Sequence, residues 1–150
     1  FDEKKNLAPE GEVWTRLSGN GFLTEITAGK HQSVADEPKG SGGTDLGPSP
    51  YGYLLSALGA CTAMTLRMYA DYKKIDLQEV EVQLTHDKVH ASDGEQTESS
   101  KGKIDQIKRR IRLEGNLSDQ ERKRLTEIAD KCPVHKTLTG KPQIITQEVH

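Results

Sequence analysis

The stretch Gly42–Thr65, GGTDLGPSPYGYLLSALGACTAMT, decides how this chain folds. Its first part is rich in glycine and proline, which break regular structure, and its second part is apolar and contains a cysteine. Ser49 suits the cap of a helix and Pro50 its first position, so the sequence predicts a helix from residue 51 to about residue 73. The first half of this helix is apolar on nearly all sides, which predicts burial on most of its faces.

Cys132 is the only other cysteine, and it lies in the segment DKCPVHKTL. Upstream, residues 118–121 (SDQE) match a capping box, which marks the start of a helix. Four residues then share one apolar stripe at helical spacing: Leu125, Ile128, Ala129 and Cys132. The pattern predicts a second helix that carries Cys132 in its last turn and is ended by Pro133.

Short strands are predicted on the N-terminal side of the first helix. Residues 12–17 and 22–28 flank the sequence SGNG at residues 18–21, which is typical of a hairpin with Asn-Gly at its tip. Residues 31–35 follow as a third strand, so a small antiparallel meander is predicted. Residues 36–50 contain so many glycines and prolines that a loop without regular structure is expected.

The segment after the first helix predicts a pair of strands. Apolar and polar residues alternate over residues 80–85, which indicates a half-buried strand that continues towards residue 91. Residues 103–114 contain the basic run KRRIR and are predicted to pair with this strand, with their basic face in water. The spacing of their isoleucines also fits a helix. Residues 92–103 form a polar loop, whose role as a gate is left open, and residues 142–149 are expected to add a last strand.

The composition fits a single domain of residues 1–150, in which residues 1–11 form a polar, flexible arm. Hydrophobic residues make up 33% of the chain and charged residues 29%. This low apolar fraction suggests either a disordered segment or a core that a partner chain completes.

Charge and hydropathy exclude several classes of partner. A net charge of −2 and a pI near 6.2 give no global attraction to nucleic acid or to anionic lipid. No apolar run approaches the roughly 18 residues of a membrane helix. The beginning, FDEKKNLAPEGE, is acidic and polar, unlike an export signal, so a reducing cytoplasmic location is expected. Cysteines there are more often reduced or redox-active than joined in a structural disulfide.

The two cysteines allow more than one interpretation. Either can be a small buried hydrophobe, because apolar surroundings raise the pKa of a thiol and make it inert. Near Cys132, Lys131, His135 and Lys136 favour a thiolate, whereas the end of a helix opposes one. The sequence Cys-Pro-Val-His resembles a thioredoxin-type motif, except that here it is predicted to close a helix and not to open one.

A metal site is a further alternative, because cysteine and histidine side chains are the usual ligands of zinc. The candidate ligand set is Cys61, His86, Cys132 and His135. The remaining histidines are expected on the surface or in strands: His31, His90 and His150.

Residues 42–74, followed much later by IADKCPVHKTL, resemble the OsmC/Ohr family of osmotically inducible and organic hydroperoxide resistance proteins. The likeness runs from about Val13 to Thr146. Its most specific features are the glycine-rich loop, the sequence GACT around Cys61, and Cys132 followed by proline.

The resemblance implies an α+β, OsmC-like fold, in which antiparallel sheets pack around two central helices that carry the cysteines. It also implies an intertwined homodimer with active sites at the interface, and a thiol peroxidase that needs no cofactor or metal. Cys61 matches the peroxidatic cysteine, which a hydroperoxide oxidises to sulfenic acid. Cys132 matches the resolving cysteine, which forms a disulfide that a dithiol reductant reopens.

The sequence departs from the family pattern at two charged positions. Tyr51 stands where the peroxidases carry a glutamate, and no arginine lies in the hairpin turn. Other residues would then have to stabilise or orient the thiolate, each with a plain surface or turn role as the alternative. The candidates are Arg16, His31, Asp36, Glu37 and Asp45.

An apolar pocket is predicted beside the thiols, and it suits the alkyl chain of an organic hydroperoxide better than hydrogen peroxide. Its expected lining residues are Phe22, Tyr51, Leu54, Leu58 and Met64. The rival function is a non-catalytic dimer that binds a small apolar ligand in the same pocket and keeps both thiols inert.

Overall fold

A computed structural model describes residues 7–90 and 102–149 of the chain. The elements follow in the order β1 (Val13–Leu17), β2 (Thr24–Ala28), β3 (His31–Ala35), α1 (Pro50–Lys73), β4 (Leu77–His90), β5 (Lys103–Gly115), α2 (Asp119–Ala129) and α3 (Pro133–Thr139). Helices and antiparallel strands thus combine in the predicted α+β class. The chain forms two compact units, residues 1–54 and residues 55–150.

The first unit contains the predicted meander, a sheet in the order β1-β2-β3 with antiparallel pairs. Leu17 pairs with Thr24, so residues 18–23 form the first connection and β2 begins two residues later than expected. Gly19 and Gly21 have φ values of 77° and 109°, which glycine adopts without steric cost.

The N-terminal arm is attached to this sheet at one point. Ala8 is buried, and its N–H donates to the carbonyl oxygen of Gly29 at 2.8 Å. The prediction of a flexible arm also covers residues 1–6, which lie outside the described part of the chain. Between β3 and α1 the predicted loop is confirmed, apart from one short 3-10 turn at Lys39–Ser41.

Helix α1 begins at Pro50, as predicted, with the Ser49 hydroxyl accepting the N–H of Gly52 at 3.1 Å. Its buried residues follow one stripe at a spacing of four: Leu58, Thr62, Leu66 and Ala70. Another stripe is exposed: Met64 at 65%, Met68 at 70% and Tyr72 at 78%. For a single chain the burial expected on most faces of the first half of α1 is wrong, because only Leu58 is buried before Cys61. Tyr51, Ser56, Ala57 and Ala60 are exposed.

Strands β4 and β5 form an antiparallel pair, as predicted, with registers from Leu77↔Gly115 to His90↔Lys103. The pairing excludes the helical alternative for the isoleucine-containing segment. The predicted polar loop at residues 92–103 falls mainly on residues 91–101, which lie outside the described part, so its role as a gate stays open.

The second predicted helix is divided in two. Helix α2 begins with the expected capping box of Ser118 and Glu121, but it ends at Ala129. Cys132 caps the N-terminus of the separate helix α3, whose first residue is Pro133. The prediction that Cys132 closes a helix is wrong because proline lacks the N–H that would continue α2, yet suits the first position of a new helix.

The core of the second unit lies where α1, α2 and the β4–β5 pair meet. Its buried residues are Leu66, Ala70, Leu77, Leu113, Leu125, Ile128 and Ala129. Leu66 and Leu125 are 0% exposed, and full burial of such a leucine contributes about 1.5–3 kcal/mol. This cluster joins α1, which carries Cys61, to α2, which precedes Cys132 in the chain.

The predicted last strand is also wrong. Residues 141–149 adopt neither helix nor strand, and Ile144 and Ile145 are 85% and 80% exposed. A strand needs a neighbour to which its backbone is hydrogen-bonded. Neither of the two sheets in the described residues pairs with this segment. Among the helices described here, none is long and apolar enough to cross a membrane.

Candidate thiol site

The two cysteines come together within the second unit, as free thiols. Cys61 lies in α1 and is half-buried, whereas Cys132 is 0% exposed. The side chain of Cys61 is hydrogen-bonded to that of Cys132. Two thiols in contact can be oxidised to a disulfide, whereas an isolated buried thiol has no partner for this bond.

Cys132 has surroundings that favour its thiolate. Burial raises the pKa of this thiol, but hydrogen bonds from the Cys61 thiol, the backbone N–H groups of His135 and Val134, and the Thr62 hydroxyl together lower it below its ordinary value. The N–H of His135 approaches the sulfur to 3.4 Å because Cys132 occupies the cap of α3. The helix end that was expected to oppose a thiolate therefore supports one.

Arg109 links the two sides of this site, and the sequence analysis did not find it. Its Nη1 donates to Thr62 Oγ1 at 3.1 Å, and its Nη2 donates to Asp130 Oδ1 at 2.8 Å. The side chain of Arg109 is 12% exposed, whereas that of Asp130 is 70% exposed. A largely buried guanidinium thus lies beside the residue that follows Cys61 and beside the segment that leads to Cys132.

A sequence signal for Arg109 did exist. Alternate residues of a strand face the same side, so Arg109 shares its side with Ile107, Ile111 and Leu113 of β5. The basic face of this strand was predicted to lie in water, without separating Arg109 from its neighbours. That holds for its exposed neighbour Arg110 but is wrong for Arg109, which lies on the apolar side.

The five predicted thiolate partners all lie in the first unit, whereas both cysteines lie in the second. Arg16 donates from Nε to Ser18 Oγ at 3.3 Å, and His31 is exposed at the start of β3. Asp45 has a φ of 56° in the loop, and its N–H donates to the Glu37 carbonyl oxygen at 3.1 Å. Their roles towards the thiols stay predictions.

Asp36, the fifth of these candidates, organises the glycine-rich loop. It is 2% exposed, and its carboxylate accepts four hydrogen bonds of 2.5–3.3 Å from Glu37, Thr44 and Leu46. The Thr44 hydroxyl is the main cause that lowers the pKa of Asp36. The loop closes tightly here, because a Cβ at Gly43 would lie 2.0 Å from the Glu37 carbonyl oxygen.

The predicted pocket residues have different surroundings. In the first unit Phe22 and Tyr51 are 49% and 52% exposed, and Leu54 is half-buried; in the second Leu58 is 5% exposed and Met64 65%.

The second unit has an open groove of about 390 Å³ between α1 and β4, where the side chains are mostly apolar. Its lining residues are Leu55, Ser56, Gly59, Ala60, Ala63, Val80, Val82 and Leu84. Gly59 allows α1 to approach β4 closely, because a Cβ there would lie 2.8 Å from Leu84 Cδ1.

The proposed metal ligand set is not assembled. His86 Nε2 lies 2.9 Å from Asp105 Oδ1 on the neighbouring strand. Within residues 7–90 and 102–149, no group of three or more histidine, cysteine, aspartate or glutamate side chains could hold an ion. His31 and His90 are exposed, as expected, and His150 lies outside the described residues.

Comparison with known proteins assigns the family. The model of the OsmC-like protein family matches residues 42–147, which include both cysteines. The chain belongs to the OsmC-like family. No curated protein sequence matches this OsmC-like chain.

Solved structures share the OsmC-like fold. An OsmC-like protein from Mycoplasma pneumoniae is 23% identical, with a TM-score of 0.69 and 86% of each chain covered. The organic hydroperoxide resistance protein OsmC from Legionella pneumophila is 20% identical, with a TM-score of 0.62 and coverage of 86% of this chain and 88% of that one. OhrB of Bacillus subtilis is 20% identical, with a TM-score of 0.59 and coverage of 86% and 90%. The OsmC-like fold predicted from the sequence is confirmed.

Proposed function

We propose that this OsmC-like chain is a thiol peroxidase that reduces organic hydroperoxides to alcohols. The observation that carries the proposal is the contact between a half-buried Cys61 and a fully buried Cys132 whose pKa is lowered. Family membership and the hydroperoxide resistance proteins among its structural neighbours support a redox role of this kind.

In the first step, the Cys61 thiolate attacks the distal oxygen of the hydroperoxide. An S–O bond forms while the O–O bond breaks, and the leaving alkoxide takes up a proton to become the alcohol. The sulfur is oxidised to sulfenic acid by the two electrons that reduce the peroxide. Cys61 is assigned this step because it is the more exposed of the two thiols.

In the second step, the Cys132 thiolate attacks the Cys61 sulfur. The S–S bond forms, and hydroxide leaves and becomes water. The lowered pKa of Cys132 serves this step, because the thiolate is the attacking form. The hydrogen bond between the thiols also holds the Cys61 sulfur next to the attacking thiolate.

A dithiol reductant then restores both thiols by exchange and leaves as a disulfide. The two cysteines supply both electrons of each turnover, so the cycle needs no bound cofactor. Both thiols must be reduced at the start, which fits a cytoplasmic setting.

A homodimer is part of the proposal. The exposed stripe of Met64, Met68 and Tyr72 runs along α1, the helix that carries Cys61. Contiguous apolar side chains on a small protein favour association, and a second copy would cover this stripe and complete the surroundings of the thiols.

Titration of free thiols against hydroperoxide tests the proposal. Reduced protein that receives one equivalent of cumene hydroperoxide should lose both titratable thiols and regain them with a dithiol. The same protein without peroxide is the control for oxidation by air. Thiols that remain unchanged would overturn the peroxidase function.

The groove between α1 and β4 favours one alternative, a binding protein for a small apolar ligand. Neither cysteine lines this groove, so binding there needs no thiol chemistry. Ala60→Trp would fill the groove, and it should abolish binding of an apolar fluorescent probe. If the thiols of the same variant are still consumed by hydroperoxide, the groove and the thiol reaction are separate.

A further inference from the structure

We propose that Arg109 is the positioning residue that sets the thiolate content of the cysteine pair, acting through Thr62 and opposed by Asp130. The inference deepens the proposed function and rests on it for its consequence in catalysis. The ionisation itself is measurable without any hydroperoxide.

The burial of Arg109 gives its charge a strong local effect. Its side chain is 12% exposed and points from β5 towards α1, where it reaches Thr62 Oγ1. A cation that is withdrawn from water interacts more strongly with nearby groups than a solvated one, and it favours their anionic forms. Thr62 is 0% exposed, so little water screens this contact.

Thr62 connects this charge to the sulfur. The Thr62 hydroxyl has a single hydrogen to donate, and two acceptors are within its reach. They are the Leu58 carbonyl oxygen at 2.7 Å and the sulfur of Cys132. Because Arg109 donates to Thr62 Oγ1, it polarises the hydroxyl and makes it a better donor. When Cys132 loses its proton, the hydroxyl can turn from Leu58 to the sulfur and stabilise the thiolate.

Asp130 has the opposite effect on the same charge. Its carboxylate is 70% exposed and accepts from Arg109 Nη2, so it holds the guanidinium in place while it partly neutralises it. The ionisable groups linked to Cys132 are Cys61 on α1 by direct contact and, through Thr62, Arg109 on β5 with its partner Asp130. His135 on α3 lies with Nδ1 at 4.0 Å from Asp130, and Lys131 and Lys136 are close to Cys132 in sequence.

The test is the ultraviolet absorbance of the thiolate in reduced protein as the pH is raised. Arg109→Gln should move the titration midpoint upwards by about one pH unit, which means ~tenfold less thiolate below the midpoint. Arg109→Lys keeps a positive charge without the two-pronged contact, so it should move the midpoint less. Arg110→Gln is the matched control, because it removes a charge from the exposed side of the same strand.

Asp130→Asn gives a prediction of opposite sign. Its amide oxygen can still accept from Arg109, but the negative charge is lost, so the midpoint should move downwards. This position is exposed, and the variant should fold even if Arg109→Gln does not.

A purely structural role for Arg109 would lower the melting temperature of Arg109→Gln and leave the midpoint equal to that of Arg110→Gln. That result, or an upward shift in Asp130→Asn, would overturn the inference. Failure of the proposed function is distinct, because protein that does not consume hydroperoxide can still show these midpoint shifts.

Discussion

The surroundings of Cys61 and those of Cys132 differ in access and in charge. Cys61 lies in the middle of a long helix, half-buried, with an exposed apolar stripe on the same helix. Cys132 is fully buried at the start of a short helix, where N–H groups, a hydroxyl and the other thiol surround its sulfur. Exposure to solvent and stabilisation of negative charge are thus divided between two residues.

In the proposed function, this division of roles lets a largely buried site react with a hydroperoxide. A single cysteine would have to be open to substrate and also held by several donors, and those donors would block the approach. Here the donors gather at Cys132, and the hydrogen bond between the thiols holds the more exposed sulfur of Cys61 beside it. The comparison therefore predicts different consequences for equivalent changes at the two positions.

The largest expected effect is the loss of turnover when either thiol is removed. Cys61→Ser should lower hydroperoxide reduction by about 10³-fold or more, the scale of losing a nucleophile. Cys132→Ser should prevent disulfide formation but leave one rapid reaction per chain. Stopped-flow measurement of hydroperoxide consumption distinguishes them, and equal losses of the first reaction in both variants would contradict the division.

Thr62→Val should raise the thiol titration midpoint by about one pH unit, because a hydrogen bond to a charged group contributes roughly 1.5–3 kcal/mol. The sign follows from the lowered pKa of Cys132, whose thiolate is present above that pKa and lost as the pH falls through it. Thr62→Ser keeps the hydroxyl and serves as the control. Matching midpoints in the two variants would exclude Thr62 as a donor.

The order in which the two thiols are alkylated shows whether exposure or acidity controls their reactivity. A limiting amount of iodoacetamide at neutral pH should label Cys61 before Cys132, although the pKa of Cys132 is lowered. The sulfur of Cys132 is reached only through local opening. Peptide mass mapping gives the order of labelling. Earlier labelling of Cys132 would show that acidity, and not access, decides which thiol reacts.

Met68→Glu tests whether the exposed stripe of α1 is covered by a second copy. The variant should shift the sedimentation profile towards the monomer, because the charge would be buried without a partner. Gln120→Glu adds the same charge to the exposed surface of α2 and should leave the profile unchanged. Monomeric wild-type protein would refute the dimer.

The smallest effect on the thiols is expected from Asp36→Asn. It should lower the melting temperature at neutral pH without moving the thiol titration. Because the pKa of Asp36 is lowered in the folded chain, its carboxylate stabilises the fold above its ordinary pKa, and this contribution is lost as the pH falls through the lowered value. The difference from wild type should therefore shrink in acid. A shifted thiol titration would instead support Asp36 as a thiolate partner.

Local patterns were sufficient to predict most of the elements. The turn residues at 18–21, the cap at Ser49 and the capping box at Ser118 are short-range signals, and each is present where it was predicted. The signal from Pro133 was ambiguous, because a proline can follow the end of one helix and can also occupy the first position of another. That ambiguity hid the position of Cys132 at the start of α3.

The missing parts of the candidate site depend on contacts that are distant in sequence. Arg109 lies 47 positions after Thr62 in the sequence, and only the alternation of β5 indicated its burial. The conformation of residues 141–149 and the burial of the exposed stripe of α1 depend on what lies against them. A pattern of residues predicts that a surface is apolar, but not what covers it.

The most direct test of the division between the thiols is to trap sulfenic acid in reduced Cys132→Ser. After one equivalent of cumene hydroperoxide, a dimedone-type reagent should label Cys61, and intact mass should show one adduct per chain. The Cys61→Ser variant, treated in parallel, should remain unlabelled. An adduct on Cys132 in Cys61→Ser, with Cys61 unlabelled in Cys132→Ser, would contradict the account and reverse the two roles.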